Sequence, residues 1–239
     1  MNEGMTRIRL AGFEPARAPS AADRVFEALY HQVVTLALPP GARLSEAEVA
    51  RAAGVSRQPV RDAFFRLSQL GFLTIRPQRS TEVSVVSEQA VQQARFVRTA
   101  LEVETVRLAA ERFGPAEIGE LEAVLDEQAA AIAADDREGF HGLDDEFHRR
   151  ICALVGHDYA WALIREQKAH MDRVRFMSLG FGAQAALDDH RVILDAVRAG
   201  DVPAAVAAMR THLSRIEEHL PRIRAEHGEL FAPASRGDG

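Results

Sequence analysis

The chain has 239 residues, 47% of them hydrophobic, a formal net charge of −6 and one cysteine, Cys152. This length suits two domains with real cores, and the single cysteine excludes an internal disulfide and points to a reducing compartment. With no run of 18 or more apolar residues and no signal-peptide core, we expect a cytoplasmic protein without a membrane anchor.

Residues 1–20 have no period and read as a flexible tail, and Met5 is a possible native start. From 21 to 36, Val25, Phe26, Leu29, Val33 and Leu36 recur at helical spacing. A Pro-Gly turn over 38–44 leads into LSEAEVARAAGVSRQPVRDAFFRLSQLGFL, residues 44–73. Ser45 with Glu48 forms the pattern of a capping box, and Leu44 with Val49 that of a hydrophobic staple. The first helix runs to about 53, where Gly54 supplies the left-handed residue that ends it. Ser56 caps a second helix whose opening turns carry Arg57, Gln58 and Arg61. Ala63, Phe64, Leu67 and Leu70 pack behind it, and Gly71 ends it. Two helices joined by a glycine turn describe a helix-turn-helix. Arg57 or Arg61 can fork onto guanine and Gln58 can pair with adenine in a major groove. The rival reading is a helical hairpin with solvated charges. Against it, residues 72–75 and 82–86 alternate as two short strands around a basic turn, a wing. The winged module spans 21–86.

Residues 87–227 read as helical throughout: 87–113, 115–134, 136–155, 159–179, 183–199 and 202–225. Gly114-Pro115, a turn at 156–158, Gly180 with Gly182, and Gly200-Asp201 serve as breaks. The first helix is marked by Val91, Ala94, Val97, Leu101, Thr105 and Leu108. Six helices with short loops make an antiparallel bundle, so the fold is mostly α, with a small β-hairpin. Residues 228–239, rich in Gly, Pro and Ser, are expected to be a disordered tail. Charge divides along the same line. Residues 1–86 hold 11 Lys and Arg against 8 Asp and Glu, net +3, and residues 87–239 hold 18 against 27, net −9. Phosphate responds to local charge, so a mildly basic module beside an acidic one is compatible with DNA binding.

Inside the bundle, Asp144 and His148 are i and i+4 on a face shared with Phe140, Phe147 and Ile151. His190 lies with Ile193 and Val197, and His212 with Met209 and Ile216, on apolar faces. Buried imidazoles and carboxylates need partners. Three histidines and one aspartate on three facing helices could hold a divalent transition metal, with zinc first and nickel, manganese or iron as alternatives. The rival reading is ordinary hydrogen-bonded histidines. Arg98 and, on the fourth helix, Arg173 and Arg175 are candidate receptors for an anionic effector beside that metal. For Arg98 the rival is a surface ion pair with Glu102. Cys152 reads as a small core residue. No nucleophile elbow, P-loop or GxGxxG is present, and we expect no enzyme.

PPGARLSEAEVARAAGVSRQPVRDAFFRLSQLGFL resembles the GntR family of bacterial transcription regulators. FVRTALEVETVRLAAERF, DDEFHRRICALVGHDY and DDHRVILDAVRAGDVPAAVAAMRTHL resemble, in order, the blocks of the FCD ligand-binding domain of its FadR subfamily. Six bundle helices resemble the VanR-type branch. The resemblance covers about 24–225. It implies a homodimer on pseudo-palindromic double-stranded operator DNA that usually represses. It implies metal ligands at Asp144, His148, His190 and His212, and DNA contacts from Ser56, Arg57, Gln58 and Arg61, with Arg79 in the wing. It also implies a small carboxylate effector met by Arg98 and by an arginine of the fourth helix, Arg173 ahead of Arg175. Two departures stand out. The family's Arg-Gly wing tip is Arg79-Ser80 here, and an arginine of the first motif helix is Ala47. The resulting expectation is a ligand-responsive regulator that senses a small organic acid through a metal-containing pocket. The alternatives are a regulator whose signal is the metal itself, a structural metal with the effector elsewhere, and a metal-dependent hydrolase with an accessory DNA-binding module.

Overall fold

The computed structural model describes residues 18–76 and 80–232. Helix α1 (Ala21–Val34) begins on a full capping box: Ser20 Oγ accepts from the Asp23 N–H at 3.1 Å, and the Asp23 carboxylate accepts from the Ser20 N–H at 3.0 Å. Then follow β1 (Arg43–Leu44), α2 (Glu46–Ala53), α3 (Arg57–Gln69), β2 (Leu73–Thr74) and β3 (Thr81–Val83). The sheet is antiparallel in the order β1-β3-β2, with Arg43 opposite Glu82 and Leu73 opposite Val83. Two residues give no period to read, which is why β1 is hidden within the expected 38–44 turn. β2 and β3 are also shorter than the expected 72–75 and 82–86. Gly54 ends α2 at φ 64°, a left-handed position that glycine occupies without strain. The Ser45 capping box does not form, and Glu46 instead pairs with Arg61 of α3. Val25, Phe26, Val60, Phe64, Leu67 and Phe72 build this module's core, and Ala169 from a later helix enters it.

The rest is helical: α4 (Glu88–Arg112), α5 (Pro115–Ala133), α6 (Arg137–Leu154), α7 (Asp158–Gln167), α8 (Ala169–Arg198) and α9 (Val202–Glu226). Of these, α4, α5, α6, α8 and α9 close on Val106, Leu121, Phe140, Phe147, Leu187, Ile193 and Met209. The expected division at Gly180 and Gly182 is wrong. Helix α8 runs straight through both for 30 residues, about 45 Å, and the interruption falls at Lys168. Gly182 is there for closeness. A Cβ on it would lie 2.9 Å from Cε1 of His219 on α9, so a glycine that resembles a breaker serves helix–helix approach.

The inward stripe of α4 also differs from the apolar reading. Val91, Ala94, Arg98, Glu102, Thr105 and Ala109 are buried at steps of three and four, while Val97 and Leu101 are half-buried. Charged residues occupy the core stripe because they face each other. Finally, residues 228–232 are ordered. Gly228–Leu230 form a 3-10 turn, Phe231 is buried, and Val86 pairs with Phe231 as an isolated parallel bridge, its N–H donating to the Leu230 carbonyl at 2.8 Å. Among the described residues no helix is long and apolar enough to cross a membrane.

Candidate metal centre and nucleic-acid face

At the N-terminal end of α3, Ser56, Arg57, Gln58 and Arg61 are all exposed. Ser56 is the extended N-cap residue and makes no side-chain capping bond, so its hydroxyl is turned to solvent. Gln58 Nε2 donates to Asp62 Oδ1 at 2.9 Å, and Arg61 lies 3.2 Å from Glu46 of α2. Arg57 has no ion-pair partner among the described residues. A helix N-terminus with outward N–H groups and cationic side chains is complementary to a phosphate backbone. Arg79 lies outside the described residues; its neighbour Ser80 is exposed.

The second assembly is inside the bundle. Asp144 and His148 on α6, His190 on α8 and His212 on α9 each offer one ligand atom, and these four atoms lie within 4.8 Å of one another. His148 Nε2 is 3.1 Å from His212 Nε2, which is 3.3 Å from His190 Nε2; His190 Nε2 is 3.8 Å from Asp144 Oδ1. Phe147 stacks on His190 at 4.4 Å between centroids and fixes the ring.

The opposite nitrogen of each ring explains this convergence. His148 Nδ1 is 2.6 Å from Glu102 Oε2. His190 Nδ1 is 2.9 Å from Gln128 Oε1, and Gln128 Nε2 donates to the Leu143 carbonyl at 2.9 Å, which sets the amide so that oxygen faces the imidazole. His212 Nδ1 is 3.4 Å from Asp189 Oδ2, and Asp189 also accepts from Arg215 Nη2 at 2.7 Å. An oxygen lies near Nδ1 of each ring, from Glu102, Gln128 and Asp189 in turn, while the three Nε2 atoms turn towards one another and towards the Asp144 carboxylate. Burial, then the other two imidazoles, pushes His190 far below the ordinary histidine value, and burial lowers His212 to about 4. Three converging imidazole nitrogens and a carboxylate oxygen, each ring backed by an oxygen on its far side, are what a divalent cation requires. The donor set fits zinc and its neighbours.

Charge is arranged around the cluster. Burial alone would raise Glu102, but Arg98 and His148 hold it well below the carboxylate range. Arg98 Nε donates to its Oε1 at 2.5 Å with both side chains almost wholly buried; the partner is the one expected, but the pair lies in the core and not at the surface. Arg175 Nη2 donates to Asp144 Oδ2, and its Nη1 to Asp145 Oδ1 at 2.9 Å. Burial and then the neighbouring Arg98 lower Arg175 to about 9. A cavity of about 60 Å³ lies beside the cluster, lined by Arg98, His141, Asp144, Arg175, Ser178 and His212 among others. That is room for several waters or the carboxylate end of a small acid.

Arg173 does not reach this cavity. It is fully buried on another side of α8, where it donates to the Ser84 carbonyl and lies 2.8 Å from His170 Nδ1. Arg175 takes the place expected for it. Sequence reasoning missed Gln128 and Asp189 as partners of the histidines, and His141 in the cavity wall. Asp189 immediately precedes His190, yet serves His212 across the helix pair.

Comparison with known proteins bears on both assemblies. A family model described as bacterial regulatory proteins, gntR family, matches residues 21–83, and an FCD domain model matches 93–215. The chain is 40% identical over 210 residues to an HTH-type transcriptional regulator in an unstable DNA locus of Streptomyces ambofaciens, covering 87% of this chain and 88% of that one. It is 35% identical over 211 residues to the HTH-type transcriptional repressor RspR of Escherichia coli, covering 87% and 92%. The fold is similar to that of E. coli McbR/YncC, with a TM-score of 0.74 at 23% identity, covering 85% and 98%.

Proposed function

The chain belongs to the gntR family of bacterial regulatory proteins and carries an FCD domain, and on that footing we propose that this DNA-binding transcriptional regulator is a repressor that senses a small organic acid through a metal-containing pocket. The observation that carries the proposal is the convergence of three Nε2 atoms and the Asp144 carboxylate beside the buried guanidinium of Arg98 and the half-buried one of Arg175. Asp144, His148, His190 and His212 would hold the ion, which would offer an open position to a carboxylate. Arg98 and Arg175 would neutralise and orient that carboxylate. Glu102, Gln128 and Asp189 would hold the imidazoles in the ligating tautomer.

Repression follows the character of relatives such as RspR, which is named a repressor. Ser56, Arg57, Gln58 and Arg61 would enter a major groove, and Arg79 would reach from the wing. Two copies of the chain would read two half-sites about one helical turn apart. Phe96, an α4 residue three-quarters exposed, is a candidate for the contact between copies. An effector acts only by binding one domain arrangement better than another.

The test is a thermal-shift screen of small carboxylates on zinc-loaded protein, repeated on the best hit after chelation. In parallel, gel shifts would use a duplex selected from random DNA by the protein itself. A hit that stabilises only the zinc-loaded form and releases the duplex supports the proposal. Release by chelation alone, with no carboxylate acting, would make the metal the signal. His148→Ala with His190→Ala leaving metal content unchanged would overturn the ligand assignment.

A further inference from the structure

One buried charge cluster joins the metal centre to the DNA-binding module, and its parts come from both. The Tyr30 ring of α1 sits in the module's core, 5.1 Å edge-on from Phe72 and 6.0 Å from Phe26. Its hydroxyl leaves that core and donates to Asp172 Oδ2 of α8 at 3.0 Å. Asp172 is fully buried. Lys168 Nζ lies 2.8 Å from both of its oxygens and 2.6 Å from Asp145. Arg175 Nη1 donates to Asp172 at 3.0 Å and to Asp145 at 2.9 Å, while its Nη2 donates to Asp144. A continuous path of charged hydrogen bonds therefore runs from Asp144 through Arg175 and Asp172 to Tyr30.

We propose that this path is a relay: the state of Asp144 and Arg175 sets how firmly α1 docks on α8, with Tyr30 as its output. The inference rests on the metal-and-carboxylate reading above. Charge balance gives its sign. Three aspartates face two cations, one negative charge in excess in a buried place where excess charge is costly. With Asp144 committed to a cation among the histidines, Asp145 and Asp172 are matched by Lys168 and Arg175, and Tyr30 meets a settled acceptor. If a solute carboxylate draws Arg175 into the cavity, Lys168 alone faces the buried Asp172 and the half-buried Asp145, and the cluster under α1 becomes uncompensated. Metal therefore tightens the α1 contact, and loss of Arg175 from the cluster loosens it. The neighbouring link from α1, His31 Nε2 to Glu138 at 2.9 Å, has both side chains more than half exposed. It is screened by solvent and is outside the path.

The experiment is hydrogen–deuterium exchange with mass spectrometry on the full chain, in chelator and with Zn²⁺ alone. Zn²⁺ affinity is measured separately by calorimetry. In the parent protein Zn²⁺ is expected to slow exchange across 21–34 roughly tenfold, the weight of one hydrogen bond to a charged group. Tyr30→Phe should bind Zn²⁺ with unchanged affinity and show no slowing in α1. His31→Ala should respond like the parent. Arg175→Leu, standing in for a withdrawn guanidinium, should exchange faster across 21–34 than the Zn²⁺-loaded parent, with the α5 peptides unchanged. Zn²⁺ binding with a silent α1 in the parent, or an undiminished response in Tyr30→Phe, overturns the relay and leaves the metal site standing. So does a response lost in His31→Ala as well, since the effect is then general undocking. No Zn²⁺ binding by the parent overturns the metal reading and the relay together.

Discussion

Replacing Glu102 by glutamine removes a charge from the best-enclosed ion pair beside the candidate metal centre while keeping the size of the side chain. In the parent, Glu102 is 1% exposed; its Oε1 accepts from Arg98 Nε at 2.5 Å and its Oε2 from Arg98 Nη2 at 3.3 Å, with His148 Nδ1 2.6 Å from that same Oε2. Every neighbour is a donor. The glutamine NH₂ must therefore face a guanidinium N–H in either orientation, and Arg98 loses its counter-charge. Removing one partner of a buried pair costs about 3–5 kcal/mol. The retained amide oxygen places Glu102→Gln at the lower end, about 3 kcal/mol. At roughly 2–4 °C per kcal/mol for a chain of this size, the metal-free melting temperature should fall by about 6–12 °C. Loss of the carboxylate behind a ligating histidine should also weaken zinc binding by about 10–100-fold. Scanning fluorimetry in chelator and zinc calorimetry read the two effects apart. A second variant separates their causes. Glu102→Met with Arg98→Met leaves no unpaired charge, so it should regain most of the stability and none of the zinc affinity. If Glu102→Gln melts within about 1 °C of the parent, or binds zinc as the parent does, the account of the second shell is wrong.

Chelation of zinc-loaded protein at a hundred-fold excess over the dissociation constant should remove about 2.7 kcal/mol, or about 5–11 °C in melting temperature; equal melting curves would deny the site a metal. Arg57→Ala should weaken binding to the selected duplex by about 1–3 kcal/mol and relax preference at one base pair if it reads guanine. A uniform loss across sequences with a shallower salt slope would instead make it a phosphate contact. His141 and His170 are lowered to about 3 and about 4 by burial, then by Arg175 and Arg173 respectively. Both folded values lie below the ordinary one, so their stabilisation is whole above about pH 6.5. It is lost as pH falls towards those values, by about 1.4 kcal/mol per pH unit for each. Urea midpoints in chelator should drop accordingly on acidification, and a flat profile would refute this. Lys168→Met leaves Asp145 and Asp172 without their shared cation and should destabilise by about 3–5 kcal/mol, read by chemical denaturation.

The helix-turn-helix and the four candidate ligands were legible because short-range rules govern them. Spacing of i and i+4 places Asp144 and His148 together whatever α6 packs on, and His190 and His212 each sit beside apolar residues that must turn inward. What escaped depends on rotation about long helices. Arg173 and Arg175 differ by two positions, about 200° around the axis, so the choice between them depends on how α8 is set. That was obscured by reading Gly180 and Gly182 as a break and missing the interruption at Lys168. The stripe of α4 was misplaced by about one position for a related reason. An apolar criterion prefers Val97 and Leu101 to Arg98 and Glu102, and only the facing His148 makes charge acceptable there. Gln128 and Asp189 carry no local signal, since their roles are set by ligands on other helices.

The burial of Lys168 has a practical consequence. It is the only lysine of the 239 residues, so the exposed start of α3, like the rest of the surface, carries no primary side-chain amine. Amine-directed acylating reagents and a lysine-specific protease thus have one internal target, enclosed at the α7–α8 junction by Asp145 and Asp172. Cleavage there into two fragments, or acylation at Nζ told apart from that at the N-terminal amine, reports opening of that junction.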